Sequence, residues 1–177
     1  DARYLIFDGG RFGQAHQHED MLNFELFAYG RPFLVDAGVR SYEDHWFRTW
    51  SVLSQAHNTL DIDGVGQCRW RQDRTRWFSA APLEHRFDTG ETWDVVEATF
   101  DGPYEREIGP IVQRRRIVFH RGEPNFWVIT DCIDGPGEHE VTERFHFAHD
   151  LAVDARPGGV RTVSEGPVSV WSDGDAA

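Results

Sequence analysis

Short apolar runs separated by turn-forming residues follow one another along the chain, and this pattern limits the fold more than any other feature. Residues 21–29 alternate in hydrophobicity, and the turn residues Gly30-Arg31-Pro32 lead into the apolar run 33–35, which predicts a β-hairpin. Further β-like runs cover residues 58–62, 93–100, 111–119, 126–131, 140–147 and 168–171. Asp-Gly, Gly-Pro and Pro-Gly pairs, which are typical of turns, separate them.

This pattern predicts an all-β protein, an antiparallel β-sandwich. No segment shows sustained helical periodicity, and residues 44–53 are the best candidate for a short helix. A length of 177 residues fits one domain with a sizeable core. No apolar run approaches the roughly 20 residues that span a bilayer.

The charge and the cysteines restrict the partners. A net charge of −12 argues against nucleic acid as a partner. All 18 cationic residues are arginines, which cluster at Arg69, Arg71, Arg74, Arg76 and in the run Arg114-Arg115-Arg116. We expect these clusters to lie on solvated strand faces paired with acids, and a polyanion-binding role is the alternative. Cys68 and Cys132 match no metal motif, and one disulfide between them is left open.

Three histidines and one aspartate are the candidate functional residues. His16 and His18 project to the same face of an extended chain, because strand side chains repeat every two residues. Asp36 closes the run after the predicted hairpin turn, and His57 stands at the mouth of another apolar run. Each also has an ordinary explanation. His16 and His18 could be surface histidines, Asp36 could cap a turn onto Gly38, and His57 could be an ordinary hydrogen-bonded histidine.

Together, His18, Asp36 and His57 offer two nitrogens and one carboxylate, a set that suits zinc. Hairpin geometry alone does not bring them together. If the turn centres on Gly30, Asp36 lies opposite Phe24 and His18 lies well beyond it along the same strand. A bend around Glu19 and Asp20 is needed to fold His18 back, so the spacing by itself leaves the site unproven.

The residues around His16 do not match the metal-binding motif of the cupins, which are metal-binding jelly rolls. Gly10 precedes His16 at the cupin spacing, but Leu22 or Asn23 stands where a cupin needs a glutamate. This departure disfavours a metal-dependent oxygenase or isomerase.

Three sequence boxes, taken together, resemble the heparinase II/III-like family of polysaccharide lyases. The boxes are His16-Gln-His18-Glu-Asp20, then Leu34-Val-Asp36-Ala-Gly38 with Tyr42 beyond it, then Ala56-His57-Asn58-Thr59. They occur in the family's order and cover about a quarter of the chain. The strand-rich remainder is consistent with the family's β-sandwich region.

The resemblance implies a supersandwich-like β-domain that follows an α/α-toroid, with the active site between them. On this basis residues 1–177 form one β-sandwich domain that is an incomplete part of a longer protein, without the N-terminal toroid. The metal ligands would be His18, Asp36 and His57, holding one chiefly structural zinc ion. His16 would reach the catalytic cleft, and Tyr42 is the natural candidate for a tyrosine near the substrate.

The expected chemistry is β-elimination of a uronate-containing acidic polysaccharide, either a glycosaminoglycan or an alginate-like polymer. The resemblance also places the protein in the periplasm or outside the cell. Because the family's neutralising Asn or Arg and further catalytic Tyr and His come from the toroid, we expect the isolated chain to be inactive or nearly so. The alternative from another class is a non-catalytic carbohydrate-binding sandwich that stacks Trp46, Trp50, Trp70 and Trp77 on sugars.

Overall fold

The computed structural model describes residues 2–10, 16–39, 42–43, 45–67, 84–102, 104, 108, 110–163 and 169–171, the last of these for the backbone alone. Within these ranges the strands are β1 (Tyr4–Phe7), β2 (Phe24–Ala28), β3 (Arg31–Leu34), β4 (Leu60–Ile62), β5 (His85–Thr89), β6 (Trp93–Phe100), β7 (Val112–His120), β8 (Phe126–Asp134), β9 (Val141–Glu143), β10 (Val153–Arg156), β11 (Gly159–Thr162) and β12 (Ser169–Trp171). The helical segments described are α1 (Trp46–Ser51) and a 3-10 turn at Ser54–Ala56.

The strands form antiparallel sheets, which confirms the all-β prediction. One three-stranded sheet has the order β1-β2-β3, and a four-stranded sheet has the order β5-β6-β7-β8. A second three-stranded sheet joins β10-β11-β12, and β4 pairs with β9. Phe24, Leu26 and Phe33 of the first sheet are buried in one cluster with Ile117 of β7. This shared core makes the β1-β2-β3 and β5-β6-β7-β8 sheets the layers of a sandwich.

Alternating burial explains why the long strands form where they do. Along β7, residues Gln113, Arg115 and Ile117 are buried, while Arg114 and Arg116 between them are exposed. A strand points successive side chains to opposite faces, so this pattern places one set against the other sheet and the other set in solvent. The predicted runs 93–100, 111–119 and 126–131 match β6, β7 and β8 closely.

Several predicted boundaries were wrong. The run 21–29 was expected to be strand throughout, but β2 begins at Phe24 because residues before it form a turn. The run 140–147 was also expected to be a strand, but the strand there, β9, covers only Val141–Glu143. Strands β1, β5, β10 and β11 were not predicted, since each is short or lacks a clear apolar alternation. The helix expected at 44–53 is α1, and the side chain of His45 caps its start.

The Arg114-Arg115-Arg116 run divides between surface and core. Arg114 pairs with Glu84 and Arg116 with Glu97, as expected for solvated strand faces. The same expectation was wrong for Arg115, which is 0% exposed. The middle residue of three points to the opposite face of a strand, and here that face is the core.

Buried Arg115 is surrounded by acceptors. Its guanidinium donates to both carboxylate oxygens of Asp131 at 2.7–3.1 Å and to Glu143 Oε1 at 3.3 Å. Nη1 donates to the backbone oxygens of Leu22 at 2.9 Å and Asn58 at 2.6 Å. These bonds join the four-stranded sheet to the two loops that carry the candidate site.

Some predictions fall outside the described residues. Arg69, Arg71, Arg74, Arg76, Trp70, Trp77 and Cys68 lie there. Cys132 is an exposed free cysteine. Among the described residues, no helix has the length and apolar character needed to cross a membrane.

We expect Arg115→Met to destabilise the protein by about 3–5 kcal/mol, because it leaves the Asp131 carboxylate half-buried without its cation. Arg116→Met, one residue away on the exposed face, should change the free energy of unfolding by about 1 kcal/mol or less. Urea denaturation of both variants measures the two values. Equal effects would contradict the assigned role of Arg115.

Candidate functional site

A tight turn folds His18 back towards the start of β2. The backbone amide of Asn23 donates to the backbone oxygen of Asp20 at 3.0 Å, and the backbone amide of Leu22 donates to the backbone oxygen of Asp8 at 2.9 Å. Leu22 has φ 63°, a left-handed conformation that a leucine rarely adopts. The bend that the sequence required near Glu19 and Asp20 is therefore present at residues 20–23.

Asp36 is fixed by three hydrogen bonds just beyond β3. Ala28 pairs with Arg31 and Leu26 with Leu34, with a register shift between Leu26 and Phe27, so the hairpin turn does not centre on Gly30 as the simple geometry assumed. Asp36 Oδ1 accepts from the Gly38 amide at 2.7 Å, and its Oδ2 accepts from Asn23 Nδ2 at 2.9 Å and His57 Nδ1 at 2.5 Å. Burial favours a higher pKa for Asp36, but His57 and the Gly38 amide outweigh it, and the pKa lies below its usual value.

The imidazoles of His18 and His57 lie together inside the protein, with ring centroids 5.4 Å apart. Candidate ligand atoms of His18, Asp20 and His57 lie within 4.8 Å of one another. His57 is fully buried, and its Nε2 has no hydrogen-bond partner. Burial raises the pKa of Asp20 to about 6, against the opposing charge of His57.

The ligand atoms that lie close together belong to His18, Asp20 and His57, while the expected carboxylate of Asp36 contacts the site through His57. Asp36 contacts Nδ1 of His57, which leaves the buried Nε2 as a free electron-pair donor. Two imidazoles and a carboxylate with one unpartnered buried nitrogen are a donor set that fits a zinc ion.

Asn58 ties the segments of this cluster together. Its amide nitrogen donates to the backbone oxygens of Phe24 at 2.8 Å and Val35 at 3.1 Å, and its side-chain oxygen accepts from the His146 amide at 2.6 Å. Its backbone amide donates to Asn23 Oδ1 at 2.8 Å. One buried side chain thus fixes the residue before Asp36 and the residue after His57 relative to β2.

His16 and Tyr42 form an exposed pair outside the buried cluster. The Tyr42 hydroxyl lies 3.1 Å from His16 Nδ1, and the two rings meet edge to face. Tyr42 is 66% exposed, and His16 is also exposed. The chain separation of 26 residues between them shows that the fold brings this pair together. A hydrogen-bonded imidazole and phenol open to solvent can exchange a proton with a bound molecule.

Some residues of the site were missed by sequence reasoning. Asp20 repeats the two-residue spacing of His16 and His18, a signal that could have identified it. Asn58 belongs to the third sequence box, but nothing in its spacing indicates five hydrogen bonds. Arg48 reaches the site from α1, where its Nη1 lies 3.2 Å from His18 Nε2, and no sequence pattern pointed to it.

Comparison with known proteins gives the family of the chain. A family described as "Heparinase II/III-like, C-terminal" matches residues 1–175. The curated heparin-sulfate lyase of Pedobacter heparinus is 25% identical over 161 residues, which cover 89% of this chain. The chain spans 21% of the length of that relative. The chain belongs to the heparinase II/III-like family and corresponds to its C-terminal region.

We expect Asn58→Ala to lower the free energy of unfolding by about 2–4 kcal/mol, because three backbone groups lose their partner. Asn125→Ala is a matched control, since the Asn125 side-chain oxygen is buried without a hydrogen-bond partner. Thermal unfolding of both variants tests the difference. A loss at position 58 no larger than at position 125 would contradict the role of Asn58.

Proposed function

We propose that this chain is part of a polysaccharide lyase that cleaves a uronate-containing acidic polysaccharide by β-elimination. The observation that carries the proposal is the exposed His16–Tyr42 hydrogen bond beside the buried histidine cluster. Membership of the heparinase II/III-like family supports it, as does the similarity to a heparin-sulfate lyase.

The proposed reaction removes the proton from the carbon next to the uronate carboxylate. The electron pair left behind forms a carbon–carbon double bond, while the bond to the 4-linked oxygen breaks and its electrons leave with that oxygen. One group takes the carbon-bound proton and another protonates the leaving oxygen. His16 and Tyr42 are chemically suited to these steps, since both can hold or release a proton within a shared hydrogen bond.

We further propose that a zinc ion is held by His18, Asp36 and His57. The unpartnered Nε2 of His57 supports a metal. Asp36 would join the ligands if the ion replaced its hydrogen bond with His57 Nδ1, and the Gly38 and Asn23 hydrogen bonds would then hold its carboxylate in place. Asp20 is the competing carboxylate. Bound zinc would supply structural cross-linking of the loops that carry His16 and His57.

The remaining catalytic groups are proposed to come from outside these 177 residues. The curated relative is far longer than this chain, which leaves room for a further domain in that protein. A net charge of −12 repels a polyanion overall, so substrate binding needs a local positive surface. A periplasmic or extracellular location is part of the same proposal, since such polysaccharides are found there.

A tryptophan that contacts sugar is consistent with the proposed lyase site and also with a separate carbohydrate-binding module. Trp46 is 76% exposed and lies on α1, the helix that also carries Arg48, which contacts Tyr42. An exposed indole is suited to stacking on a sugar ring. A purely carbohydrate-binding sandwich accounts for Trp46, but it gives no role to the His16–Tyr42 pair.

The zinc proposal predicts about one zinc per chain by elemental analysis, in keeping with one set of ligands. His57→Ala and Asp36→Asn should lose the metal. Asp20→Asn should retain most of it, and His139→Ala, at a histidine paired with Asp63, should retain all of it.

Loss of zinc from Asp20→Asn but not from Asp36→Asn would assign the carboxylate ligand to Asp20. Unchanged metal in His57→Ala would contradict the site. Iron in place of zinc would favour an oxygenase.

The lyase proposal predicts that His16→Ala and Tyr42→Phe each lower kcat by roughly 100- to 10,000-fold, the range for loss of a general acid or base. The substrates are heparan sulfate, hyaluronan and alginate, with the complete polypeptide that contains this chain as the enzyme. The ultraviolet absorbance of unsaturated uronate products measures turnover.

Tyr29→Phe and His139→Ala are the matched controls, since both residues lie outside the candidate site, and each should leave kcat unchanged. Residues 1–177 expressed alone should show little or no turnover, and strong turnover by them would contradict the need for groups outside the chain. Hydrolysis without an unsaturated product would contradict elimination itself.

A further inference from the structure

Arg48 stands between the two parts of the candidate site. Its guanidinium carbon lies 5.2 Å from the centre of the Tyr42 ring, and its Nη1 lies 3.2 Å from His18 Nε2. Tyr42 in turn contacts His16 at 3.1 Å. One cation therefore contacts both the exposed pair and the buried cluster.

Most arginines of the described residues are paired with acids, whereas Arg48, like Arg3 and Arg161, is not. Among the described residues, arginines at eight other positions form salt bridges with Asp or Glu: Arg31, Arg86, Arg114, Arg115, Arg116, Arg121, Arg144 and Arg156. Arg48 forms none with a carboxylate of the described chain. In a protein of net charge −12, a site cation that its own acids do not neutralise is suited to an external anion.

The surroundings of Arg48 leave it accessible. Arg48 is half-buried on α1, and Tyr42, whose ring its guanidinium contacts, is 66% exposed. One nitrogen of the guanidinium lies at the buried His18, and the group also lies over the exposed Tyr42 ring. A metal bound at His18 Nε2 would displace the Arg48 guanidinium from that nitrogen. Arg48 Nη1 would then be available to an anion.

We propose that Arg48 binds the uronate carboxylate of the substrate at the sugar whose proton is removed. This inference rests on the proposed lyase function. The carboxylate is favoured over a sulfate because it is bonded directly to the carbon on which the His16–Tyr42 pair acts. An arginine fork binds a carboxylate through two parallel hydrogen bonds. It also offsets the negative charge that moves onto the carboxylate when the proton leaves.

The test measures binding to oligosaccharides with and without the carboxylate. The native probe is a tetrasaccharide of whichever polysaccharide the complete enzyme cleaves, and the second probe is its carboxyl-reduced form. Calorimetry uses His16→Ala as the reference protein, so that the native probe is bound and not cleaved. The variants are His16→Ala/Arg48→Gln, His16→Ala/Arg48→Lys and His16→Ala/Arg156→Gln.

We expect Arg48→Gln to weaken binding of the native probe by roughly 10- to 100-fold, the value of a hydrogen bond to a charged group. Binding of the carboxyl-reduced probe should not change. Arg48→Lys should recover part of the loss, because it keeps the charge without the fork, and Arg156→Gln should match the reference protein.

Equal losses on both probes would overturn the inference and make Arg48 a structural residue that supports Tyr42. No loss on either probe would also overturn it. An enzyme that cleaves the polysaccharide normally with Arg48→Gln overturns this inference alone. A complete wild-type enzyme that cleaves none of the three polysaccharides overturns the proposed function and the Arg48 assignment with it.

Discussion

The buried guanidinium of Arg115 is the constraint on which the rest of the structure depends. A charge removed from water is tolerated in a core when its donors meet well-placed acceptors. Here those acceptors are the Asp131 carboxylate, Glu143 and the backbone oxygens of Leu22 and Asn58. The two loops cannot shift without leaving Arg115 partly unpaired, so the core of the sandwich sets the position of the site.

This arrangement separates rigid and accessible parts of the site. Asn58 and Asn23 hold Asp36 and His57 by buried hydrogen bonds, and the imidazole of His57 is fully enclosed. His16 and Tyr42 lie on the exposed side of the same loops, where they are open to solvent. A firmly held inner cluster beneath an open pair is what a positioned acid–base site requires.

The fold and the site differed in how far the sequence could predict them. Alternation predicted β6, β7 and β8 well, and the turn residues around Gly30 predicted the hairpin of β2 and β3. The closeness of His18 could not follow from spacing, because it depends on a turn with Leu22 in a left-handed conformation and no glycine or proline marks it.

Arg115 and Arg48 were missed for a different reason. A run of three arginines has the same composition whether its middle member faces water or the core, and the acceptors of Arg115 come from distant segments. Arg48 depends on a short helix capped by a histidine, which is an uncommon cap, and on contacts with residues that lie in other loops.

The central claim is that His18, Asp36 and His57 form a zinc site that holds the loop of His16. Anomalous diffraction at the zinc edge, from crystals of the purified protein, tests it most directly. The account predicts one strong peak bounded by His18, His57 and Asp36. A peak elsewhere in the chain, or no peak in protein grown with zinc, would contradict it.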